Sequence, residues 1–379
     1  METLPQKYVL KGLIVISLLY FLLVAVRLIS SGFQIALGAE AKDLFNFATN
    51  PFLGLIVGIL ATALIQSSST VISILVGLVA GGLPLSIAIP IVMGANVGTT
   101  ITNTIVSLGY VKASEEFKRA FAAATVHDCF NFCCLLLFFP LEISFHFLEK
   151  MSKYISNFFF NSEASWNLVS VNVLDILIKP MLTFLIQISS NLPPKINGVV
   201  LAILGIILIF GTIFYLSKTL KSILVGKARE ILHNAIGNNP LVSIFVGTGI
   251  TCLIQSSSAA TSLMIPLAGN GVFTLEQIYP FTLGTNIGTC LTALLAATAL
   301  TGETANLGLE IALVHLLYNS VGVLIIYSLP IIREFPLQGA RFLAEIATRN
   351  KWAGFGYILI IFLLLPILGL GIIPSSGGY

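Results

Sequence analysis

Asn50–Ser69 reads NPFLGLIVGILATALIQSSS, and Asn239–Ser258 reads NPLVSIFVGTGITCLIQSSS. Eleven of the twenty positions agree, at an offset of 189. Two further pairs follow in the same order. Gly94–Thr100, GANVGTT, matches Gly284–Cys290, GTNIGTC, at an offset of 190, and His127-x-x-x-Asn131 matches His315-x-x-x-Asn319 at 188. Three ordered motif pairs at a nearly constant offset mark an internal duplication.

The duplicated blocks are apolar and free of charge. No Asp, Glu, Lys or Arg occurs from Leu44 to Val111, from Ile231 to Leu275, or from Gln277 to Gly302. Of the 379 residues 56% are hydrophobic and only 9% charged. Soluble domains carry about 25% charged residues, so a soluble enzyme or a disordered chain is excluded. Mean hydropathy is +0.99. The expected class is an all-α polytopic membrane protein. A net charge of +3 is too weak to argue for nucleic acid, and the basic residues cluster near span ends, where lipid head groups and topology explain them. The five cysteines lie in apolar stretches and read as small packing residues.

Basic residues favour the cytoplasmic side. The entry to the first repeat, Gly38–Asn50, has Lys42 against Glu40 and Asp43, whereas Ser217–Asn239 carries Lys218, Lys221, Lys227 and Arg229. The exits reverse this. Tyr110–Arg119 carries Lys112, Lys118 and Arg119, while Thr298–Ile311 holds only Glu303 and Glu310. The halves are therefore expected to be inverted-topology repeats, as in many secondary transporters. Residues 1–140 form the first span and repeat 1, with a re-entrant helical hairpin over 51–82 and a broken transmembrane helix over 84–108. Residues 141–196 form an interfacial or arm linker. Residues 197–330 form repeat 2, with a second re-entrant hairpin over 240–271 and a second broken helix over 273–298. Residues 331–379 supply an inner loop and a last span. Both breaks are expected at the glycines, Gly94–Gly98 and Gly284–Gly288.

At a hairpin tip, a serine run caps the returning half-helix, whose free N–H groups and dipole favour an anion. Gln66-Ser67-Ser68-Ser69 and Gln255-Ser256-Ser257-Ser258 are such runs. Glutamine offers both a carbonyl and an amide, so it serves a cation and an anion together. Unwound backbone beside Asn96, Thr99, Thr100, Asn286 and Thr289 would expose carbonyl oxygens suited to Na⁺. Small polar residues also pack membrane helices, but duplication of both motifs favours a binding site. His127, Asp128, Asn131, His315 and Asn319 form a second set, read as hydrogen-bonding neighbours or direct contacts. With no Arg or Lys in the charge-free duplicated blocks, a dehydrated anion needs bound cations, which favours cation-coupled symport. A channel built from half-helices is the rival reading. No Ser–His–Asp or HExxH pattern stands out, so no enzyme and no cofactor beyond a coupling ion are expected.

The paired QSSS motifs, PIVMGANVGTTITNTIVSL (Pro90–Leu108) and RAFAAATVHDCFNF (Arg119–Phe132) resemble the type II sodium-dependent phosphate cotransporters, from about Asn50 to Pro366. The resemblance implies sodium-driven symport of inorganic phosphate across a plasma membrane. It assigns phosphate to Gln66, Ser67, Ser68, Asn96, Gln255, Ser256, Ser257 and Asn286. It assigns sodium to Gln66, Ser69, Thr70, Thr99, Thr100, Gln255, Ser258 and Thr289. The linker lacks the sequons and cysteines of vertebrate members, and the chain is short, which points to a compact bacterial member in the inner membrane. Where some electrogenic members place an Asp, this chain has Ala80, Gly81 and Gly82. That implies two sodium ions per divalent phosphate and little net current.

Overall fold

The computed structural model describes residues 6–37, 50–161, 170–236 and 239–372. Among these residues the chain is helical and has no strand. Helix α1 spans Gln6–Leu37. The first duplicated block folds as α2 (Pro51–Ile65), α3 (Ser68–Gly81), α4 (Leu85–Gly98), α5 (Ile101–Ser107) and α6 (Ser114–Phe145). Then come α7 (Phe147–Asn161), α8 (Ser170–Ser189) and the long α9 (Pro194–Ala235). The second block is α10 (Pro240–Ile254), α11 (Ser257–Ser262), α12 (Met264–Gly269), α13 (Leu275–Ala297) and α14 (Glu303–Ser328). The chain closes with α15 (Pro330–Arg349), α16 (Lys351–Leu359), a π-turn over Ile360–Leu364 and α17 (Leu365–Ile372). The entry charges Glu40, Lys42 and Asp43 lie outside the described residues.

Seven of the described helices are long and apolar enough to cross a membrane. The protein is an all-α polytopic membrane protein. The paired short helices α2 and α3 are 15 and 14 residues long, below the ~20 that a crossing requires. Within α8, Ile176–Ser189 is a shorter apolar stretch.

The two blocks start alike. Asn50 Oδ1 accepts from the Phe52 N–H at 3.0 Å and Asn239 Oδ1 from the Leu241 N–H at 2.9 Å. Each Asn caps a helix whose first residue is proline, already set to a helical φ. Helix α2 then lies along α4, and α10 along α13, at glycine contacts that repeat in both blocks. A Cβ on Gly94 would stand 2.0 Å from the Leu55 carbonyl oxygen, and one on Gly284 2.0 Å from that of Ile244. The facing glycines match: a Cβ on Gly58 would lie 2.2 Å from the Ile91 oxygen, and one on Gly247 2.2 Å from the Phe281 oxygen. Only glycine permits backbones to approach this closely in a membrane bundle.

This packing corrects the expected breaks. Helix α4 is unbroken through Gly94–Gly98, and its span is interrupted only at Thr99–Thr100. Helix α13 runs unbroken through Gly284–Gly288. The glycines serve close approach, and helical hydrogen bonding survives there. An interruption does occur at Leu263, between α11 and α12, where Pro266 has no N–H to give the Ser262 carbonyl.

Residues 335–349, expected as part of an inner loop, belong to the amphipathic helix α15. Pro330 starts it, and its apolar period overrides the basic composition that suggested a loop. It buries Leu337, Ala340 and Ala344 and exposes Phe335 and Phe342. Lys118 of α6 pairs with Glu345, and Arg341 pairs with Glu276 of α13. The bond from Lys118 holds the Glu345 carboxyl below the usual carboxylate range.

Candidate functional site

Both tips have one backbone geometry. Gln66 sits at φ 58°, ψ 28° and Gln255 at φ 58°, ψ 29°. Left-handed backbone is uncommon for a residue other than glycine, and a deliberate deviation of this kind is a pointer to function. The following serine is extended and caps the next helix. Ser67 Oγ accepts from the Thr70 N–H, and Ser256 Oγ from the Ala259 N–H, each at 3.2 Å. Each cap orients the first N–H groups of α3 or α11 and leaves the serine proton free to be given.

The tips differ in their surroundings. Gln255 is buried, its Oε1 accepting from Thr292 Oγ1 at 2.5 Å and its Nε2 donating to the Cys252 carbonyl at 2.5 Å. Gln66 is exposed, and the equivalent threonine, Thr102, has a buried hydroxyl without a partner. From the second tip, Ser258 Oγ donates to the Thr99 carbonyl at 3.3 Å and Ser262 Oγ to Asn103 Oδ1 at 3.2 Å. The second tip is thus docked on the Thr99–Thr100 interruption of the first block. Ser68, Ser69 and Thr70 of the first tip, and Ser257 at the second, are buried.

Between the blocks runs a chain of buried amides. Asn131 Nδ2 donates to the Asn96 carbonyl at 2.7 Å, and Asn286 Nδ2 donates to Asn131 Oδ1 at 2.8 Å. His127 Nε2 meets Asn286 Oδ1 at 2.5 Å. So His127 and Asn131, on α6, join Asn96 of one repeat to Asn286 of the other. The second histidine pair stays within its own repeat, bonded to Cys290 of α13. Asn319 Nδ2 donates to the His315 carbonyl at 2.9 Å, and both His315 ring nitrogens are buried without partners. Thr289 Oγ1 returns to the Thr285 carbonyl at 2.9 Å, in the manner of a packing threonine.

Asp128 is 1% exposed. Its Oδ2 accepts from Tyr357 at 2.9 Å and from Thr104 at 3.2 Å, while its Oδ1 has no partner. Thr99 Oγ1 and Asn103 Nδ2, on the adjoining turns of the interruption, are also buried and unpartnered. A buried polar atom left unpaired costs about 1–3 kcal/mol, and such groups call for a ligand, ion or water. Sequence reasoning missed Tyr357, Thr104 and Asn103. It also missed Thr292, although Thr102 and Thr292 continue the duplication four residues past Gly98 and Gly288 and could have been found there.

A family model described as Na⁺/Pi-cotransporter matches residues 21–160 and 207–374. The chain is 32% identical to the human sodium-dependent phosphate transport protein 2B, over 95% of this chain and 65% of the relative. It is 31% identical to the 2B protein of Pongo abelii, with the same coverage. It is 33% identical to the 2A protein of Rattus norvegicus, over 96% of this chain and 68% of the relative. The chain spans about 65% of the length of the 2B relatives. No solved structure matches.

Proposed function

Because the chain belongs to the Na⁺/Pi-cotransporter family, we propose that it is a sodium-coupled symporter of inorganic phosphate in a plasma membrane, and not an enzyme. The observation that carries this reading is the doubled tip, a left-handed glutamine followed by a serine-capped helix start, in stretches of sequence without charge. Phosphate would take the N–H groups and hydroxyls at Ser67–Ser68 and Ser256–Ser257, with Gln66, Gln255, Asn96 and Asn286 around it. Sodium would take oxygens of Ser69, Thr70, Thr99, Thr100, Ser258 and Thr289 together with the glutamines. Asp128 and its unpaired neighbours at the interruption extend that cation-facing surface.

The two hairpins would enter from opposite faces. Gln34, near the end of α1, donates to the Ala80 carbonyl at the base of the first hairpin at 3.0 Å. Arg119, near the start of α6, donates to the Gly269 carbonyl at the base of the second at 2.9 Å. In alternating access the Gln255–Thr292 bond would open while Gln66 and Thr102 form its counterpart, exchanging the roles of the two tips. The Ala80–Gly82 turn carries no carboxylate, and a Cβ on Gly81 would lie 2.7 Å from Phe33 Cβ. Two sodium ions per divalent phosphate, with little current, is the stoichiometry that the family resemblance implies for such a turn.

With no lysine or arginine in the charge-free stretches that hold the two tips, phosphate and sodium bind as linked ligands, each tightening the other. Radiolabelled phosphate uptake into proteoliposomes is expected to require a sodium gradient. Calorimetry is expected to show phosphate binding at least about tenfold weaker in choline than in sodium, a coupling above ~1.4 kcal/mol. Equal affinity in both salts would overturn the coupling. Uptake that never exceeds equilibrium would indicate a channel, and preference for another oxyanion would change the substrate.

Ser67→Ala and Ser256→Ala each remove a cap, about 1 kcal/mol, and a hydroxyl donor to a buried anion, about 1–3 kcal/mol. Phosphate affinity is expected to fall about tenfold or more in each monodisperse variant. Wild-type uptake kinetics in both would contradict the placement of phosphate at the tips.

A further inference from the structure

We propose that the corner between α6 and α7 is a binding site for a divalent transition-metal ion, held by Glu142, His146 and Glu149. One ligand atom from each of the three lies within 4.8 Å of the others. His146 joins the helices in a left-handed conformation, φ 51°, and its Nδ1 stands 3.1 Å from Glu149 Oε2. Glu142 is buried, and its carboxylate is fixed by the start of α7. Its Oε2 accepts the Leu148 N–H at 2.6 Å and its Oε1 the Glu149 N–H at 3.3 Å. Each oxygen retains a second lone pair, and backbone donors behind a carboxylate are the arrangement that orients a metal ligand.

A second observation comes from the other repeat. Glu310, a buried acid on α14, is 3% exposed. Two carboxylates, Glu142 and Glu149, converge here on one imidazole, so the corner favours a further cation. Carboxylate oxygen with imidazole nitrogen suits Zn²⁺ or Mn²⁺, whereas Mg²⁺ prefers oxygen ligands and its own waters. Zinc bonds to these atoms are about 2.0–2.2 Å long, so the side chains would close by about 1 Å on binding. His146 is half exposed, which leaves the remaining position to water.

The corner is separate from the transport site. Glu142 lies eleven residues beyond Asn131 on the same helix, about 16 Å along its axis. A bound ion would pin the end of α6 to α7, and α7 is itself fastened to α14 by Ser156 and Asn306.

The test is calorimetry with zinc chloride on the purified protein in phosphate-free choline buffer, paired with metal analysis after gel filtration. One zinc ion per chain is expected. His146→Gly removes the imidazole and accepts the left-handed backbone, and Glu149→Gln keeps the side-chain size. Each is expected to weaken zinc binding at least tenfold and to leave metal-free phosphate uptake unchanged. Glu310→Gln, which alters only the surrounding charge, is expected to weaken binding less. Wild-type protein that retains no zinc, variants that bind it as the wild type does, or magnesium that competes at equal concentration would each overturn the assignment. If one variant is not monodisperse, the other two still decide.

Discussion

Gly94→Ala and Gly284→Ala are expected to unfold or severely destabilise the protein, although alanine is the better helix former. The added methyl would stand 2.0 Å from a backbone carbonyl oxygen in each case. No rotamer change can relieve a clash between a Cβ and a backbone atom, so the helices must separate. Overpacking usually costs about 1–3 kcal/mol where side chains can shift, and here the cost is expected to exceed about 3 kcal/mol. That is a large share of the roughly 5–15 kcal/mol that holds a typical domain folded. Gly356→Ala is the control, because a Cβ there meets nothing within 4 Å. Thermal melts and the yield of monodisperse protein measure the difference. If Gly94→Ala and Gly284→Ala melt like Gly356→Ala, the paired helices do not pack as described.

Asn286→Ala is expected to abolish phosphate uptake while Asn319→Ala retains much of it. The two asparagines flank the interior from α13 and α14, but only Asn286 is a cross-repeat link. Its loss strands the Oδ1 of Asn131 and the Nε2 of His127, both buried. At about 1–3 kcal/mol for each unpaired group, the linkage loses roughly 2–6 kcal/mol, a factor of about thirty or more. Asn319 hydrogen-bonds the His315 carbonyl and Cys290 Sγ, both within the second repeat, so its removal leaves the connection between the repeats intact. Uptake rates of the two purified variants in the same liposomes give the comparison. Equal uptake in both would remove the amide chain from the transport mechanism.

Much of this was legible in the sequence because duplication leaves a residue-by-residue signature. The same offset that aligned the QSSS runs also aligned the capping asparagines, Asn50 and Asn239, and the prolines that follow them. The capped tips were legible because a serine run cannot be stable in the middle of an apolar helix and needs an end to cap. The glycines were misjudged. In isolation, G-x-N-x-G signals weak helix, and only the facing carbonyls of Leu55 and Ile244 reveal it as a contact surface. The inner segment was misjudged for a related reason, since the charges of Arg341 and Arg349 concealed an amphipathic helix.

The sequence by itself determined the class, the duplication, the charge-free stretches and the identity of the paired polar motifs. These follow from local composition and from spacing, which the chain carries whatever its conformation. Tertiary structure alone decided the partners. Tyr357 and Asp128 lie 229 residues apart and share one hydrogen bond, and the sequence around Tyr357 carries no motif that predicts it. It also decided the asymmetry between two nearly identical tips, with Gln255 buried against Thr292 and Gln66 exposed. Equal sequences have equal local preferences, so such a difference arises only from what each tip meets across the interior, and that is set by how the two repeats pack.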